Sequence, residues 1–368
     1  MTPPPATPPP DANATGAPTA GSAPSPAPIA DFSWPHVLGT LIAGRSLSEA
    51  GAAAAMGEIM KGDATAAQIA GFVVALRVKG EAIEEIVGLV RTMRSYGARV
   101  EVTEEVLDTC GTGGDRAGTF NVSTAAALVC AGAGVPVAKH GNRAASSRCG
   151  SADVLEALGV RIDLPPEGVA RCITEAGIGF CFAPIFHPAM RYAGPPRKEL
   201  GVATIFNFLG PLTNPAGATH QALGVADAKM LDKMVDALAR LGSRHVVAFH
   251  GEDGLDELST SGPSRVLELK EGRITEWIVE PQQLGLPPAD LASLAGGSPQ
   301  QNAQVLRDVL EGQSGPHRDI VVLNAAAGLM AADRADSLEG GIQTAAQAID
   351  SGRATRSLDR LIEVASSV

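Results

Sequence analysis

Apolar residues recur along this chain with two different periods, and the change falls near Gly97. From Ser33 to about Tyr96, Ala, Leu, Ile, Met and Glu recur at helical spacing, broken by Gly44, Gly62 and Gly80, which predicts three or four short helices. In the third, Ile69, Phe72, Val73 and Leu76 stand at i, i+3, i+4 and i+7, with Thr65 as N-cap and Gln68 completing a capping box. The apolar positions are too many for one thin layer of helices. One face of the bundle is therefore either an interface with another subunit or domain, or ordinary core, and the pattern leaves both open.

After Gly97, short apolar runs alternate with helical stretches. Val106–Cys110, Val135–Lys139, Ile178–Ala183, Gln221–Val225, His245–His250, Arg265–Leu269 and Ile320–Leu323 predict strands. Ser123–Ala133, Ala152–Leu158, Glu167–Ala176, Lys229–Leu241 and Gln301–Leu310 predict helices. Such alternation predicts an α/β class with a largely parallel sheet covered on both faces and ligands at the carboxyl ends of its strands.

Composition narrows the partners. At 368 residues and 45% hydrophobic content the chain can bury a sizeable core, and its length favours two domains. The formal charge of −11 opposes a nucleic-acid backbone, and the basic residues show no cluster. Five cysteines without a C-x-x-C spacing fit reduced thiols and a cytoplasmic location. Without a run of about 18 apolar residues, no membrane span is expected. Residues 1–30 hold ten of the 26 prolines and no Lys or Arg, so a flexible tail is expected rather than a targeting segment.

Candidate chemistry sits at the strand ends. Asp108-Thr109-Cys110-Gly111-Thr112-Gly113-Gly114-Asp115 is a glycine loop whose N–H groups are free to form an anion-binding nest. Asn121-Val122-Ser123-Thr124 follows, with Ser123 or Thr124 as expected N-cap of the next helix, whose N-terminus favours an anion. Lys139-His140-Gly141-Asn142, running on to Ser147, adds charge and hydroxyls from a second strand end. Together these predict a phosphorylated ligand, and the glycine spacing excludes both a Walker loop and a dinucleotide fingerprint.

His250 to Glu257 places four carboxylates in six positions after another strand, either a solvated acidic loop or a site for Mg²⁺ with substrate phosphates. Arg197 follows Pro195-Pro196, so its guanidinium stands on a stiff approach suited to a planar carboxylate, or is a surface Arg with no fixed partner.

Five motifs in order resemble the anthranilate phosphoribosyltransferase family: Gly111–Asp115, Asn121–Thr124, Lys139–Asn142 with Ser151-Ala152-Asp153, the stretch from His187 to Asn214, and Asp256-Glu257. The resemblance runs from Trp34 to the C-terminus. It implies a small N-terminal helical domain at 31–98, completed by 188–206, and a large α/β domain at 104–187 and 207–368 with a mostly parallel central sheet, the architecture shared with nucleoside phosphorylases. It implies that Gly111, Gly113, Gly114, Asp115, Thr119, Asn121, Ser123, Thr124, Lys139, Asn142, Ser147 and Ser151 hold phosphoribosyl pyrophosphate. Anthranilate would meet Gly111, Asn142, His187 and Arg197, positioned by His140, with no residue acting as general base. Ser123, Asp256 and Glu257 would hold Mg²⁺, two ions per site, and the chain would form a homodimer through the helical domain, without a nucleic-acid or membrane partner.

Two departures from the family pattern, Ala203 in place of a basic residue and Pro196 in place of a small apolar one, bear on entry of the aromatic substrate. A pyrimidine nucleoside phosphorylase is disfavoured, because such enzymes carry Ser-Gly-Arg where this chain has His140-Gly141-Asn142.

Overall fold

Four helices open the computed structural model, which describes residues 1–2, 32–144 and 148–368. Ser147 and nearly all of the proline-rich tail lie outside the described residues. The helices are α1 (Trp34–Ile42), α2 (Glu49–Lys61), α3 (Ala66–Lys79) and α4 (Ile83–Tyr96). The capping box before α3 forms as expected: Gln68 N donates to Thr65 Oγ1 (3.3 Å) and Thr65 N donates to Gln68 Oε1 (2.8 Å). Inside the bundle, the buried Glu85 carboxylate accepts from Leu47 N, Ala82 N and Lys79 Nζ, so a charge removed from water is met by three donors.

The remainder is built on β1 (Leu107–Gly111), α5 (Val122–Gly132), β2 (Val137–Gly141), α6 (Ser151–Ala157), α7 (Pro166–Ala176), β3 (Ile178–Phe182), α8 (Ala183–Phe186), α9 (Gly194–Leu200), α10 (Phe206–Leu209), β4 (His220–Gly224) and α11 (Ala228–Arg240). There follow β5 (His245–Gly251), β6 (Ser264–Lys270), β7 (Arg273–Val279), α12 (Pro299–Leu310), α13 (Pro316–Ala331), α14 (Leu338–Asp350) and α15 (Arg353–Ser366). The seven strands form one sheet in the order β3-β2-β1-β4-β5-β6-β7, parallel from β3 to β5 and antiparallel thereafter. The strand order reverses direction between β1 and β4, and in open α/β sheets the crevice for a ligand lies at the carboxyl ends beside such a point.

The expected strand at Ile320–Leu323 is instead the first half of α13, which begins at Pro316 and runs 16 residues. Every residue from Ile320 to Ala331 is buried, so this part of the helix is covered on all sides, and over the four apolar residues Ile320–Leu323 such a run is indistinguishable from a buried strand. The edge strand β7, largely exposed and paired to β6 through the two-residue turn Glu271-Gly272, was not expected: its apolar residues Ile274, Trp277, Ile278 and Val279 fall on both faces and do not alternate strictly with polar positions. One apolar core joins α5, α7, α13 and α15 on one face of the sheet. The other runs from the helical bundle through α11 on the opposite face, so the two parts of the chain share buried surface.

Candidate active site

The loop after β1 turns through two left-handed residues, Gly113 (φ +66°) and Gly114 (φ +85°), positions that a side chain would strain. Thr112 pins this loop to β4: its N–H donates to Gly224 O (3.0 Å) and its Oγ1 accepts from Ala226 N (3.0 Å). Gly111 and Gly224 are register partners on β1 and β4. Asp256 fills the notch between them. A Cβ on Gly111 would stand 2.2 Å from Asp256 Oδ2, and one on Gly224 would stand 1.6 Å from Asp256 O, so both positions must lack side chains for this carboxylate to reach the loop. There Oδ2 accepts from Gly113 N (2.7 Å).

Glu257, next in the chain, accepts at Oε1 from Ser123 N (3.1 Å) at the first turn of α5. Ser123 is not the N-cap. Asn121 holds that position, and its side chain is spent elsewhere, donating to Cys149 O (3.1 Å) and accepting from Asn302 Nδ2 (2.9 Å). The hydroxyls of Ser123 and Thr124 are thus not consumed in capping α5, and Thr124 Oγ1 is buried without a partner among the described residues. Thr119 lies half-buried just before, bridged to Ala295.

On β2, Lys139 is 2% exposed; its Nζ donates to Thr109 O (2.5 Å) and reaches Ser123 Oγ (3.4 Å). Three strand ends and the 256–257 turn therefore converge around Gly113, Ser123 and Lys139. Burial, then repulsion by Asp115, pushes Asp256 up to about 7, and burial with repulsion by Asp256 pushes Glu257 well above the usual carboxylate range. A divalent cation would relieve both costs. Among the described residues no three His, Cys, Asp or Glu side chains converge into a complete metal cage. Two carboxylates and a serine leave coordination positions for phosphate oxygens and water, which is how Mg²⁺ is commonly held beside a phosphorylated substrate.

His140 ends the same strand on the other side. Its main-chain N–H donates to Asp108 Oδ1 (3.0 Å), its ring Nδ1 pairs with Gly210 O (3.1 Å), and ring Nε2 is buried without a partner among the described residues. Burial, reinforced by His187, lowers it to about 3, so the ring is neutral at ordinary pH. The His187 ring lies 5.3 Å away, with Nε2 paired to Thr213 O (3.1 Å), and burial lowers this histidine too. Two neutral rings without acidic partners can position a substrate but are weakly suited to taking a proton.

Asn142 is exposed; its main-chain oxygen accepts from Ser151 Oγ (3.3 Å) at the start of α6, tying the loop after β2 to that helix. Arg197, on α9, lies over the Phe206 ring (5.3 Å) and has no ion-pair partner among the described residues; burial lowers its pKa. The geometry thus links the phosphate-side residues to one another, while Arg197 carries no hydrogen bond to them.

Asp108 and Gly224 were missed as functional positions by sequence reasoning. Asp108 is fully buried and anchors His140, and the signal available was a carboxylate inside the apolar run Val106–Cys110. Gly224 carried none, because its role depends on a neighbour 32 residues away.

The mostly parallel sheet, helical bundle and anion cradle match the architecture of a two-domain glycosyl transferase. The model of the glycosyl transferase family a/b domain matches residues 103–355, and that of the family's helical bundle domain matches residues 35–97. The anthranilate phosphoribosyltransferase of Moorella thermoacetica is 53% identical over 326 residues, 88% of this chain and 96% of its own length. The solved structure of the Thermus thermophilus enzyme superposes with a TM-score of 0.85 at 46% identity, covering 90% of this chain and 99% of that one. The Saccharomyces cerevisiae enzyme, solved in complex with PRPP and Mg, matches with a TM-score of 0.83 at 29% identity over 91% of this chain and 98% of that one. It has also been solved with 4-fluoroanthranilate. This chain belongs to the anthranilate phosphoribosyltransferase family.

Proposed function

We propose that the protein transfers the phosphoribosyl group of 5-phosphoribosyl 1-pyrophosphate to the amine of anthranilate, releasing pyrophosphate, as a step of tryptophan biosynthesis. The observation that carries this reading is the Asp256 notch: two facing glycines admit a buried carboxylate to the edge of the glycine loop, where the Gly113 N–H donates to it. In this reading Gly111, Gly113, Gly114, Asp115, Thr119, Asn121, Ser123, Thr124, Lys139, Asn142, Ser147 and Ser151 bind the phosphoribosyl donor. Asp256, Glu257 and Ser123 hold Mg²⁺, two ions per site. When bound, the metal neutralises negative charge developing on the departing pyrophosphate.

The chain's own groups do the rest. The Gly114 N–H, with the Lys139 ammonium, presents positive charge to the leaving group as the C1–O bond breaks and the ribose gains oxocarbenium character, while the Gly113 N–H holds Asp256 beside it. Arg197 takes the carboxylate of anthranilate, and His140, His187 and Asn142 orient its ring so that the amine lone pair attacks C1 from the opposite face. A neutral aromatic amine has its lone pair available, so its proton leaves after attack and no general base is needed. That agrees with two neutral histidines.

The helical domain, 31–98 completed by 188–206, serves as the dimer interface in this reading. Packing of α9 on α3 supports the grouping, and Ile42, Val74 and Val78, exposed on α1 and α3, support the interface. No described helix is long and apolar enough to cross a membrane, and the five cysteines are free thiols, consistent with a cytoplasmic enzyme. Loss of anthranilate fluorescence that requires both phosphoribosyl pyrophosphate and Mg²⁺ is the expected result. Turnover without either, or full Mg²⁺-dependent turnover in Asp256→Ala/Glu257→Ala, would refute the reading.

A further inference from the structure

A cavity of about 300 Å³ lies against His187, between the end of α4 and the segment 213–217. Its lining includes Arg94, Arg99, Glu101 and His187, with Val100 and Pro215 among the apolar contributors. Arg94 Nε donates to Leu212 O (2.9 Å), which fixes the plane of the guanidinium and leaves Nη1 and Nη2 without a hydrogen-bond partner among the described residues. Neither Arg94 nor Arg99 forms an ion pair there, Glu101 is bonded to neither, and the neighbouring Arg91 is taken by Glu49. Burial, with repulsion by Arg91 and Arg99, brings Arg94 down to about 10. Holding Arg94 and Arg99 together around one small space costs free energy, and neither forms an ion pair with a carboxylate among the described residues.

We propose that this cavity binds a small monocarboxylate with a short apolar body. The two free Nη groups of Arg94 match the two oxygens of a planar carboxylate, and Arg99 adds a second positive charge. The apolar walls receive the body of the ligand, and Glu101 disfavours a polyanion such as pyrophosphate. A volume of about 300 Å³ is at the small end of ligand pockets. The site is separate from the phosphate cradle: none of the residues around Gly113, Ser123 or Asp256 lines it, and His187 is the wall it shares with the anthranilate side.

Saturation-transfer NMR of the full chain with 4-methylpentanoate tests this. A dissociation constant on the order of 1 mM or tighter is expected for the wild type and for Arg197→Gln. Arg94→Gln should bind roughly tenfold more weakly, the effect of removing a charged hydrogen-bonding partner. If that variant does not fold, Arg99→Gln decides, since its side chain is exposed and makes no hydrogen bond within the described protein; it should weaken binding several-fold. Absence of a signal with the wild type at about 10 mM, well above the expected constant, overturns the proposal. So does wild-type affinity in the deciding variant, or loss of binding in Arg197→Gln, which would place the probe on the anthranilate side. Displacement of the probe by equimolar inorganic phosphate would overturn the carboxylate assignment.

Discussion

Replacing Gly111 by Ala should disable the enzyme through a residue that touches no substrate group by its own side chain. The new Cβ would lie 2.2 Å from Asp256 Oδ2 and 2.9 Å from Cγ, where ordinary contact begins at 3.4 Å, so the oxygen must retreat by about 1.2 Å. The Asp256 main chain cannot supply that movement towards β4, because its carbonyl already occupies the space of a side chain on Gly224. The carboxylate must therefore rotate and give up the 2.7 Å bond from Gly113 N. A hydrogen bond to a charged group contributes about 1.5–3 kcal/mol, equivalent to roughly 10- to 150-fold in kcat/KM if it acts in the transition state. Steady-state kinetics with a Mg²⁺ titration at each substrate concentration would show the fall in kcat/KM together with a higher Mg²⁺ requirement. Gly114→Ala is the control: at φ +85° it strains the loop by about 1–2 kcal/mol but meets nothing within 4 Å. Activity of Gly111→Ala within about threefold of wild type, or a loss equal to that of Gly114→Ala at unchanged Mg²⁺ requirement, would refute the reasoning.

Arg197→Gln should raise KM for anthranilate about 10- to 100-fold while KM for phosphoribosyl pyrophosphate stays within about threefold, and equal effects on both would remove the assigned role. His140 sits at about 3 against an ordinary 6.5, so between those values the unfolded chain binds a proton that the native protein does not. Its contribution to stability is therefore lost as pH falls from about 6.5 towards 3, and His140→Gln should show a smaller drop in melting temperature between pH 7 and pH 5 than wild type; an identical drop would contradict a buried neutral ring. Val78→Glu places a charge on the exposed apolar face of α3; under the proposed dimer, sedimentation should report a dimer for the unaltered chain and a monomer for the variant, with a monomeric unaltered chain or an unchanged variant counting against that interface.

Much of the architecture was legible because it rests on local periodicity. Strands β1 to β6 and helices α5, α6, α7, α11 and α12 fall within about two residues of their expected positions, since each carries an apolar run bounded by turn residues; the short helices α8, α9 and α10 between β3 and β4 were not expected. The amphipathic helices α14 and α15 were not expected although their period is intact, and two further failures trace to burial and exposure. Helix α13 is buried on all sides from Ile320 and mimics a strand over Ile320–Leu323, while β7 is largely exposed and its apolar residues lie on both faces without clean alternation. Within the site, capping by Ser123 was a reasonable expectation that Asn121 displaced, because Glu257 takes the Ser123 N–H from across the sheet.

The order of residues alone determined which groups are available: glycines for a nest, a lysine and histidine at a strand end, two adjacent carboxylates, an arginine after two prolines. These depend on chemistry and on neighbours in the chain. Tertiary structure decided how they meet. Gly111, Gly224 and Asp256 are separated by 113 and 32 positions yet share one notch, because parallel pairing of β1 with β4 brings two glycines side by side at the point where the strand order turns. It also decided protonation, since the same burial that leaves Asp256 and Glu257 reluctant to ionise keeps His140 and His187 neutral, and burial belongs to the folded chain as a whole.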